Sequence, residues 1–424
     1  MNFKNLVSKI YNDKKLLLLS VFLFSIFVSF VFLLLLGNLG PSEHAIPGSD
    51  YFNSYEPVAN SIFQGKGIPV EEDFAVRYPP GYPVILSAIF GLSLLLGLGK
   101  LGLIVFFNVI VAALSTCFLF LFVKTIFKKK IALTTSFLWL SYPFNLWFLK
   151  NPNTEVPFIL FLFLSFWLFA KGTKKNSLKL FLLSGVFVGV ASLIRPITVF
   201  LFIPMVVMIF FLLKEISFSR KILISLLLTI AYLAVIAPWI IYVFSKTGEI
   251  IPLSTGGATS MAAGITMMAG NAREDSLIIL QDDVLALIDR AKEIDRSSSL
   301  NVFRFFAEEM TNHPVAFLKL MVIKATRAWY GTSEMWWELQ ILLVQLFYLI
   351  PGFAGIIIAF KKIKGKKAYL AFLLLLIFYF WAATIAALSI FRYMVPVMAI
   401  IFIFWAVFFK ELTSNFIRFF QDET

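Results

Sequence analysis

One aspartate, Asp50, stands in the short stretch Gly48-Ser49-Asp50-Tyr51, just after the first long apolar segment of the chain. A carboxylate beside a membrane surface can accept a proton from an attacking hydroxyl group, which is general base catalysis. Most acids in polar loops are simply solvated, so Asp50 becomes a candidate only if other charged groups converge on it. The guanidinium fork of arginine binds phosphate through parallel hydrogen bonds. Three arginines are candidates for this: Arg77, Arg195 and Arg392.

The composition of the chain places these residues in a membrane protein. Of its 424 residues, 60% are hydrophobic and only 14% are charged. Soluble domains are about half apolar and about a quarter charged, so the composition favours a lipid-exposed protein. We therefore predict an all-α polytopic membrane protein with about ten transmembrane helices and with juxtamembrane helices on the outer face.

The basic residues determine the predicted orientation. The net charge is +13, but the lysines and arginines cluster between apolar segments. The positive-inside rule accounts for such clusters without a nucleic-acid partner. We predict a multi-pass protein of the plasma (inner) membrane with both termini in the cytoplasm. Cys117 is the one cysteine and there are 2 histidines, which excludes an intramolecular disulfide and a histidine-rich metal site. No cofactor is predicted, and the participation of a divalent cation is left open.

The apolar stretch Val84–Leu98 decides the sidedness of everything that follows it. If it stays on the outer side, the lysine-rich connections all fall on the cytoplasmic side with the N-terminus; if it crosses, they all lie outside. It has only 15 residues, follows a proline-rich segment and contains two glycines. We predict a helix at the outer interface, within a first outer loop over residues 37–100 that also carries Asp50.

The apolar run Leu180–Leu213 contains a break at Arg195-Pro196. As one helix, its 34 residues would be about 51 Å long, against a hydrocarbon core of about 30 Å. Proline ends the helix before it, so two spans joined by an outer turn at Arg195 are predicted. Outer turns also carry Glu155 and Arg392. Each arginine could instead be an interfacial anchor, and Glu155 could simply favour the start of a helix.

A long outer loop over residues 245–338 follows the later spans. Its first part, Ser254–Asn271, is rich in small residues and is predicted to be a mobile loop. Leu277–Ile294 has an amphipathic helical pattern, and Asn301–Trp329 has a second one interrupted at His313-Pro314. Because no separate soluble domain is visible, residues 1–424 are predicted to form a single membrane domain.

Several short motifs occur along nearly the whole chain in a consistent order. They are Ser49-Asp50-Tyr51 with Tyr55 and Ala59; Gly65-Lys66-Gly67; Arg77-Tyr78-Pro79-Pro80-Gly81-Tyr82-Pro83; Asn153-Thr154-Glu155; Gly189-Val190-Ala191-Ser192-Leu193-Ile194-Arg195-Pro196; His313-Pro314 with Phe317, Leu318 and Lys324; and Arg392-Tyr393 with Pro396. In this order the chain resembles the GT-C class of membrane glycosyltransferases, specifically the relatives of dolichyl-phosphate-mannose protein mannosyltransferases and of bacterial lipid A aminoarabinose transferases.

The resemblance implies roles for individual residues. It makes Asp50 the catalytic base, and it makes Arg77, before the double proline, a ligand of the donor phosphate. Some members carry an acidic pair in the first loop, but here Tyr51 follows the aspartate. Glu56 or Glu155 could supply a second acid, and the choice between them stays open. Further candidate substrate contacts are Tyr51, Tyr55, Tyr82 and Tyr393.

The predicted function is transfer of a sugar from a polyprenyl-phosphate donor to an acceptor hydroxyl at the outer face, with inversion at the anomeric carbon. The partners are the lipid-linked sugar, membrane lipids, and a lipid, glycan or protein acceptor. Eukaryotic protein mannosyltransferases carry a large inserted domain that this chain lacks, which argues against a protein acceptor. The alternative is a lipid or solute transporter or flippase, but no inverted repeat is visible and the charges stand at outer turns.

The predicted topology can be tested by labelling in intact cells. A cysteine placed at Lys129 should resist a membrane-impermeant thiol reagent, because the lysine-rich connection around it is predicted to be cytoplasmic. A cysteine at Glu72 should react, because the first loop is predicted to be external. The reverse pattern would overturn the sidedness of the whole chain.

Overall fold

The computed structural model describes residues 9–37, 49–270, 277–295, 299–333, 335 and 337–422. All secondary-structure elements in these residues are helices, joined by turns and irregular segments, and these residues contain no β-strand. This confirms the predicted all-α fold of a polytopic membrane protein. Gly48 lies outside the described residues, so the motif that contains Asp50 is described from Ser49 onward.

Among the described residues, seven helices are long and apolar enough to cross a membrane. They are Lys14–Leu36, Lys100–Ile126, Glu155–Lys175, Phe218–Thr247, Glu338–Lys362, Lys364–Ala386 and Phe391–Ser414. Three shorter apolar helical segments are Gly81–Leu96, Leu178–Ile194 and Pro196–Leu212. The count of about ten spans, and the position of Gly81–Leu96 at the interface, stay predictions.

The chain divides into two compact units, Met1–Leu253 and Ser254–Thr424. In the first unit, helix Glu155–Lys175 packs against Lys100–Ile126 and Leu178–Ile194, and the latter packs against Phe218–Thr247. In the second unit, helix Glu338–Lys362 packs along the helix that starts at Val395. The prediction of one domain over residues 1–424 stays a prediction.

The predicted break at Arg195-Pro196 is present. One helix ends at Ile194, a 3₁₀ turn covers Pro196–Thr198, and the next helix runs over Phe202–Leu212. The Thr198 hydroxyl donates to the Arg195 carbonyl at 3.2 Å, which satisfies a backbone group that the proline break frees. Such side-chain hydrogen bonds are what make a broken helix tolerable at membrane depth.

The apolar segment Ile131–Leu149 is long enough to be expected as one span, but it is not one continuous helix. A helix over Lys129–Ser141 ends before Pro143, and two short helical turns follow it, Pro143–Trp147 and Phe148–Lys150. The proline cannot donate to the preceding turn and so ends that helix. The buried Asn108 amide then donates to the carbonyls of Leu149 and Asn151 at 3.2 and 3.1 Å.

The segment Ser254–Asn271 was predicted to be a mobile loop, and this prediction was wrong for most of it. Residues Gly256–Gly270 form a helix. Its small side chains allow close packing, and one face is buried: Ala258, Met261, Ala262, Ile265 and Met268. These residues have helical spacing. However, alanine and glycine on both faces make the buried face hardly more hydrophobic than the other, so the pattern was not recognised.

The remaining helices of the long loop follow the predicted pattern. Helix Asp282–Lys292 is shorter than the predicted pattern Leu277–Ile294, because residues 277–281 are not helical. It buries one apolar face, made of Val284, Leu287, Ile288 and Ala291. The second pattern is interrupted where predicted, because helix Ser299–Asn312 ends before His313 and helix Pro314–Arg327 follows it.

Gly81 allows two backbones to approach closely in the first unit. A Cβ atom at this position would lie 2.6 Å from the carbonyl oxygen of Leu193. Gly81 starts helix Gly81–Leu96, and Leu193 lies near the end of helix Leu178–Ile194. Therefore the start of the first helix lies directly against the turn that carries Arg195.

Gly81→Ala should destabilise the protein, because the new methyl group meets a backbone atom that cannot rotate away. We expect a loss of about 1–3 kcal/mol, as for other overpacked positions. The measurement is the thermal unfolding midpoint in detergent. Gly102→Ala is the matched control, because nothing lies within 4 Å of a Cβ there and the residue is within a helix. Equal stability of the two variants would contradict the close contact.

Candidate active site

Asp50 stands at the start of an unusual helical turn. It precedes a π-helical turn over Tyr51–Tyr55, which continues into the α-helix Glu56–Phe63. Tyr51 and Tyr55 are buried, whereas Asp50 is exposed. The two tyrosines therefore anchor the turn while the carboxylate stays accessible. Wide π turns of this kind occur often at functional sites.

Tyr78 contacts the Asp50 carboxylate directly. Its phenol donates to Oδ1 of Asp50 at 2.6 Å. The Tyr78 ring packs against Tyr55 with centroids 5.0 Å apart, and Tyr55 packs edge-on against the buried Tyr82 at 5.2 Å. Sequence analysis did not single out Tyr78, although it stands between two predicted site residues in the Arg77–Pro83 motif. Its position next to Arg77 is the sequence feature that could have identified it as a site residue.

Arg77 brings a cation to the same group. It is exposed, it follows the short helix Asp73–Val76, and its guanidinium carbon lies 5.9 Å from the centre of the Tyr78 ring. Tyr78 therefore contacts both predicted functional residues of the first loop. An exposed arginine whose neighbour holds an exposed carboxylate can meet an anion while the carboxylate meets a hydroxyl group.

Glu56 interacts with Tyr51 instead of standing alone. Burial raises the pKa of Tyr51 above its usual value, and the negative charge of Glu56 and a hydrogen bond to it raise that pKa further. The phenol therefore stays protonated. A role for Glu56 as second acid stays a prediction.

Glu155 and Arg195, which were predicted separately, form one buried ion pair. Their exposed fractions are 1% and 9%, and the Arg195 guanidinium also donates to Thr154 Oγ1 at 2.9 Å. The side-chain oxygen of Asn153 accepts from the backbone N–H of Glu155 at 3.2 Å, which holds the start of the helix. The pair joins the start of helix Glu155–Lys175 to the end of helix Leu178–Ile194.

Close packing links this pair to the first loop. Because Gly81 lies against Leu193, the Arg195 turn adjoins the segment that carries Arg77, Tyr78 and Tyr82. The first unit thus brings Asp50, Tyr78 and Arg77 together and places the Glu155–Arg195 pair beside their segment.

Arg392 and Tyr393 belong to the second unit. They lie in the 3₁₀ turn Phe391–Met394, whose first residue donates its backbone N–H to the Gly331 carbonyl at 2.8 Å. The prediction that they share a site with Asp50 stays a prediction.

A second group of buried charges lies in that unit, and sequence analysis assigned it no role in the site. Lys324 is fully buried and donates to the carbonyls of Gly264 and Ala387 at 3.1 and 3.0 Å. Burial, and then the charge of Arg327, lower the pKa of Lys324 to about 7. Arg327 forms a buried ion pair with Glu338 at 2.6 Å. The available signal was the motif that contains His313, Pro314 and Lys324.

No three His, Cys, Asp or Glu side chains within the described parts of the chain come close enough together to hold a metal ion.

Removing the charge of Arg195 should destabilise the first unit. Arg195→Met leaves Glu155 buried without its partner, which we expect to cost about 3–5 kcal/mol. The double variant Arg195→Met/Glu155→Gln should recover part of this loss, because no buried charge is left unpaired. Thermal unfolding in detergent measures both, with the exposed Lys246→Met as control. An Arg195→Met protein as stable as the control would show that the pair is unimportant for stability.

Part of the chain matches a known protein family, and the fold of the chain is similar to that of solved membrane proteins. Residues 79–242 match the family of dolichyl-phosphate-mannose-protein mannosyltransferases, a match that covers less than half of the chain. It includes Tyr82, Glu155 and Arg195 but not Asp50, Arg77 or Tyr78. No curated protein matches the chain in a sequence comparison.

Among solved structures, the chain is similar to the archaeal oligosaccharyltransferase AglB from Archaeoglobus fulgidus in complex with an inhibitory peptide and a dolichol-phosphate. The TM-score is 0.57 at 14% identity, over 97% of this chain and 52% of that chain. The apo form gives a TM-score of 0.58 at the same identity and coverage. This chain therefore spans about half the length of the oligosaccharyltransferase and shares its fold over that half.

A weaker likeness is to ArnT from Cupriavidus metallidurans bound to undecaprenyl phosphate. It has a TM-score of 0.42 at 14% identity, over 92% of this chain and 77% of that chain. That score is too low to support an argument. The match over residues 79–242 and the oligosaccharyltransferase fold confirm the predicted resemblance of this chain to the GT-C membrane glycosyltransferases.

Proposed function

We propose that this protein is a glycosyltransferase that moves a sugar from a polyprenyl-phosphate donor to an acceptor hydroxyl at the outer face of the plasma (inner) membrane. The observation that carries the proposal is the contact of Tyr78 with both Asp50 and Arg77, which brings an accessible carboxylate and an accessible cation to the same side chain. The family match and the GT-C fold support it, because their named members act on lipid-linked sugars or were solved with a polyprenyl phosphate.

In the proposed reaction, Asp50 accepts the proton of the acceptor hydroxyl while that oxygen attacks the anomeric carbon. The bond between the anomeric carbon and the phosphate oxygen breaks, and the polyprenyl phosphate leaves with an added negative charge. Arg77 is placed to stabilise that charge because its guanidinium is exposed beside the Tyr78 ring. A single displacement of this kind inverts the anomeric carbon.

Arg195 and Arg392 are proposed as further cations for the donor phosphate, on different grounds. Arg195 is already paired with Glu155, so the donor phosphate would have to share its guanidinium with that carboxylate. This argues that Arg195 acts mainly by holding the turn and that Arg77 makes the first contact with the phosphate. The proposal for Arg392 rests on the motif Arg392-Tyr393 in the second unit.

The acceptor is proposed to be a lipid, a glycan or a protein that presents a hydroxyl group. The alternative function, a transporter or flippase, has no such support from the family match or from the fold.

Asp50→Asn should abolish transfer while leaving the fold intact, because it keeps the shape of the side chain but removes its basicity. We expect a loss of about 10²–10⁴-fold, the range for general base catalysis. Cells with only this variant should accumulate the same polyprenyl-phosphate sugar as cells without the protein, as detected by mass spectrometry of membrane lipids.

Glu71→Gln is the matched control for Asp50→Asn. It neutralises another exposed acid of the first loop and should leave the lipids unchanged. Near-native transfer by Asp50→Asn would remove Asp50 as the base, and no accumulated donor in cells without the protein would remove the proposed function itself.

Arg77→Ala should weaken use of the donor, because both the charge and the bidentate fork are lost. Arg77→Lys keeps the charge and should weaken it only in part. Kinetics with the polyprenyl-phosphate sugar purified from cells without the protein should show a raised donor KM, with the acceptor KM unchanged. Lys246→Ala, which removes another exposed cation of the first unit, is the control. Unchanged donor dependence in Arg77→Ala would take Arg77 out of the site.

A further inference from the structure

We infer that Tyr78 is a positioning residue that holds the Asp50 carboxylate in the orientation that accepts the acceptor proton. The inference rests on the proposed function, in which Asp50 is the base. It assigns a specific task to a tyrosine whose hydroxyl does not itself enter the reaction.

The hydrogen bond leaves one carboxylate oxygen for the substrate. The Tyr78 phenol donates to Oδ1 of Asp50 at 2.6 Å, and Asp50 is exposed, so Oδ2 is the oxygen offered to the acceptor hydroxyl. Asp50 is exposed, and its side chain precedes the first residue of the π turn. Without the phenol, an exposed aspartate would move among several rotamers, of which one faces the acceptor.

Tyr78 is able to hold the carboxylate because its own orientation is constrained. Its ring packs against Tyr55, and Tyr55 packs against Tyr82, which is 1% exposed. Buried Pro79 and Pro80 follow Tyr78 and limit the backbone angles of that segment. The carboxylate is therefore tied to a rigid aromatic stack and not to a flexible loop side chain.

A positioning role predicts which kinetic constant changes. Misplacing a catalytic group by about 1 Å can cost about 10²-fold in rate. Tyr78→Phe keeps the ring and its packing and removes only the hydroxyl group. We therefore expect kcat to fall by about 10- to 100-fold, with the donor KM unchanged because Arg77 and the ring beside it remain.

The experiment compares Tyr78→Phe with Tyr242→Phe. Tyr242 is a matched control, since it is also half-buried in the first unit and its phenol also donates a hydrogen bond, to the Ile68 carbonyl at 2.9 Å. Both variants are assayed by mass spectrometric detection of released polyprenyl phosphate, with the donor purified from cells without the protein. Thermal unfolding in detergent is measured for both.

The expected result is a low kcat for Tyr78→Phe at unchanged donor KM, with kcat near that of the wild type for Tyr242→Phe. In the Asp50→Asn background, Tyr78→Phe should cause no further loss, because its effect acts through the carboxylate. A merely structural role would instead lower activity equally in both backgrounds.

Two outcomes overturn the inference: equal kcat values for the two phenylalanine variants, or an undiminished loss from Tyr78→Phe in the Asp50→Asn background. Each can occur while Asp50→Asn is inactive, in which case the proposed function stands and only the role of Tyr78 fails. Near-native activity of Asp50→Asn would instead remove the base, and with it the proposed mechanism.

Discussion

The buried ion pair of Glu155 and Arg195 is the constraint on which the arrangement of the first unit depends. It places two opposite charges at the ends of two apolar helices, where either charge alone would be costly. Arg195 also donates to Thr154, so the pair fixes the direction of the turn as well as its charge balance. Because proline follows Arg195, the chain cannot continue as a helix and must turn at this pair.

The turn at Arg195-Pro196 also positions the first loop. The backbone of Leu193, two residues before Arg195, lies so close to Gly81 that no side chain fits between them. From Gly81 the chain runs back through two buried prolines to Tyr78, whose phenol reaches Asp50. An exposed carboxylate in a loop is thus connected, through covalent structure and packing, to a charge pair buried in the helical frame. This connection gives the carboxylate a defined position while it stays accessible to solvent.

The second unit also contains a buried ion pair that joins two helices, and no catalytic role is assigned to it. Arg327 and Glu338 join the end of helix Pro314–Arg327 to the start of helix Glu338–Lys362. Lys324, one turn earlier, binds two backbone carbonyls, and its lowered pKa reflects burial beside Arg327. A neutral lysine amine can still donate to both carbonyls. Lys324 can therefore keep its hydrogen bonds to Gly264 and Ala387 in either protonation state.

The class of the protein and much of its helical order can be predicted from the amino-acid sequence. Long apolar runs, few charges and proline at known positions decide where membrane helices form and where they break, because these are local properties of the chain. The break at Arg195-Pro196, the interruption at His313-Pro314 and the apolar face of residues 282–292 could be predicted for that reason. The helix Gly256–Gly270 was missed because alanine and glycine hide its periodicity, and the break at Pro143 was overlooked within an apolar run.

Which side chains contact each other depends on the tertiary packing. The sequence predicted Glu155 and Arg195 as separate functional residues, but 40 positions of chain separate residue 155 from residue 195, and no local pattern shows that they form one ion pair. It also placed Asp50 and Arg77 in one loop without showing that Tyr78 contacts both of them. Contacts of this kind depend on helix packing and on side-chain rotamers across distant segments, and neither is encoded in the composition or periodicity of a single segment.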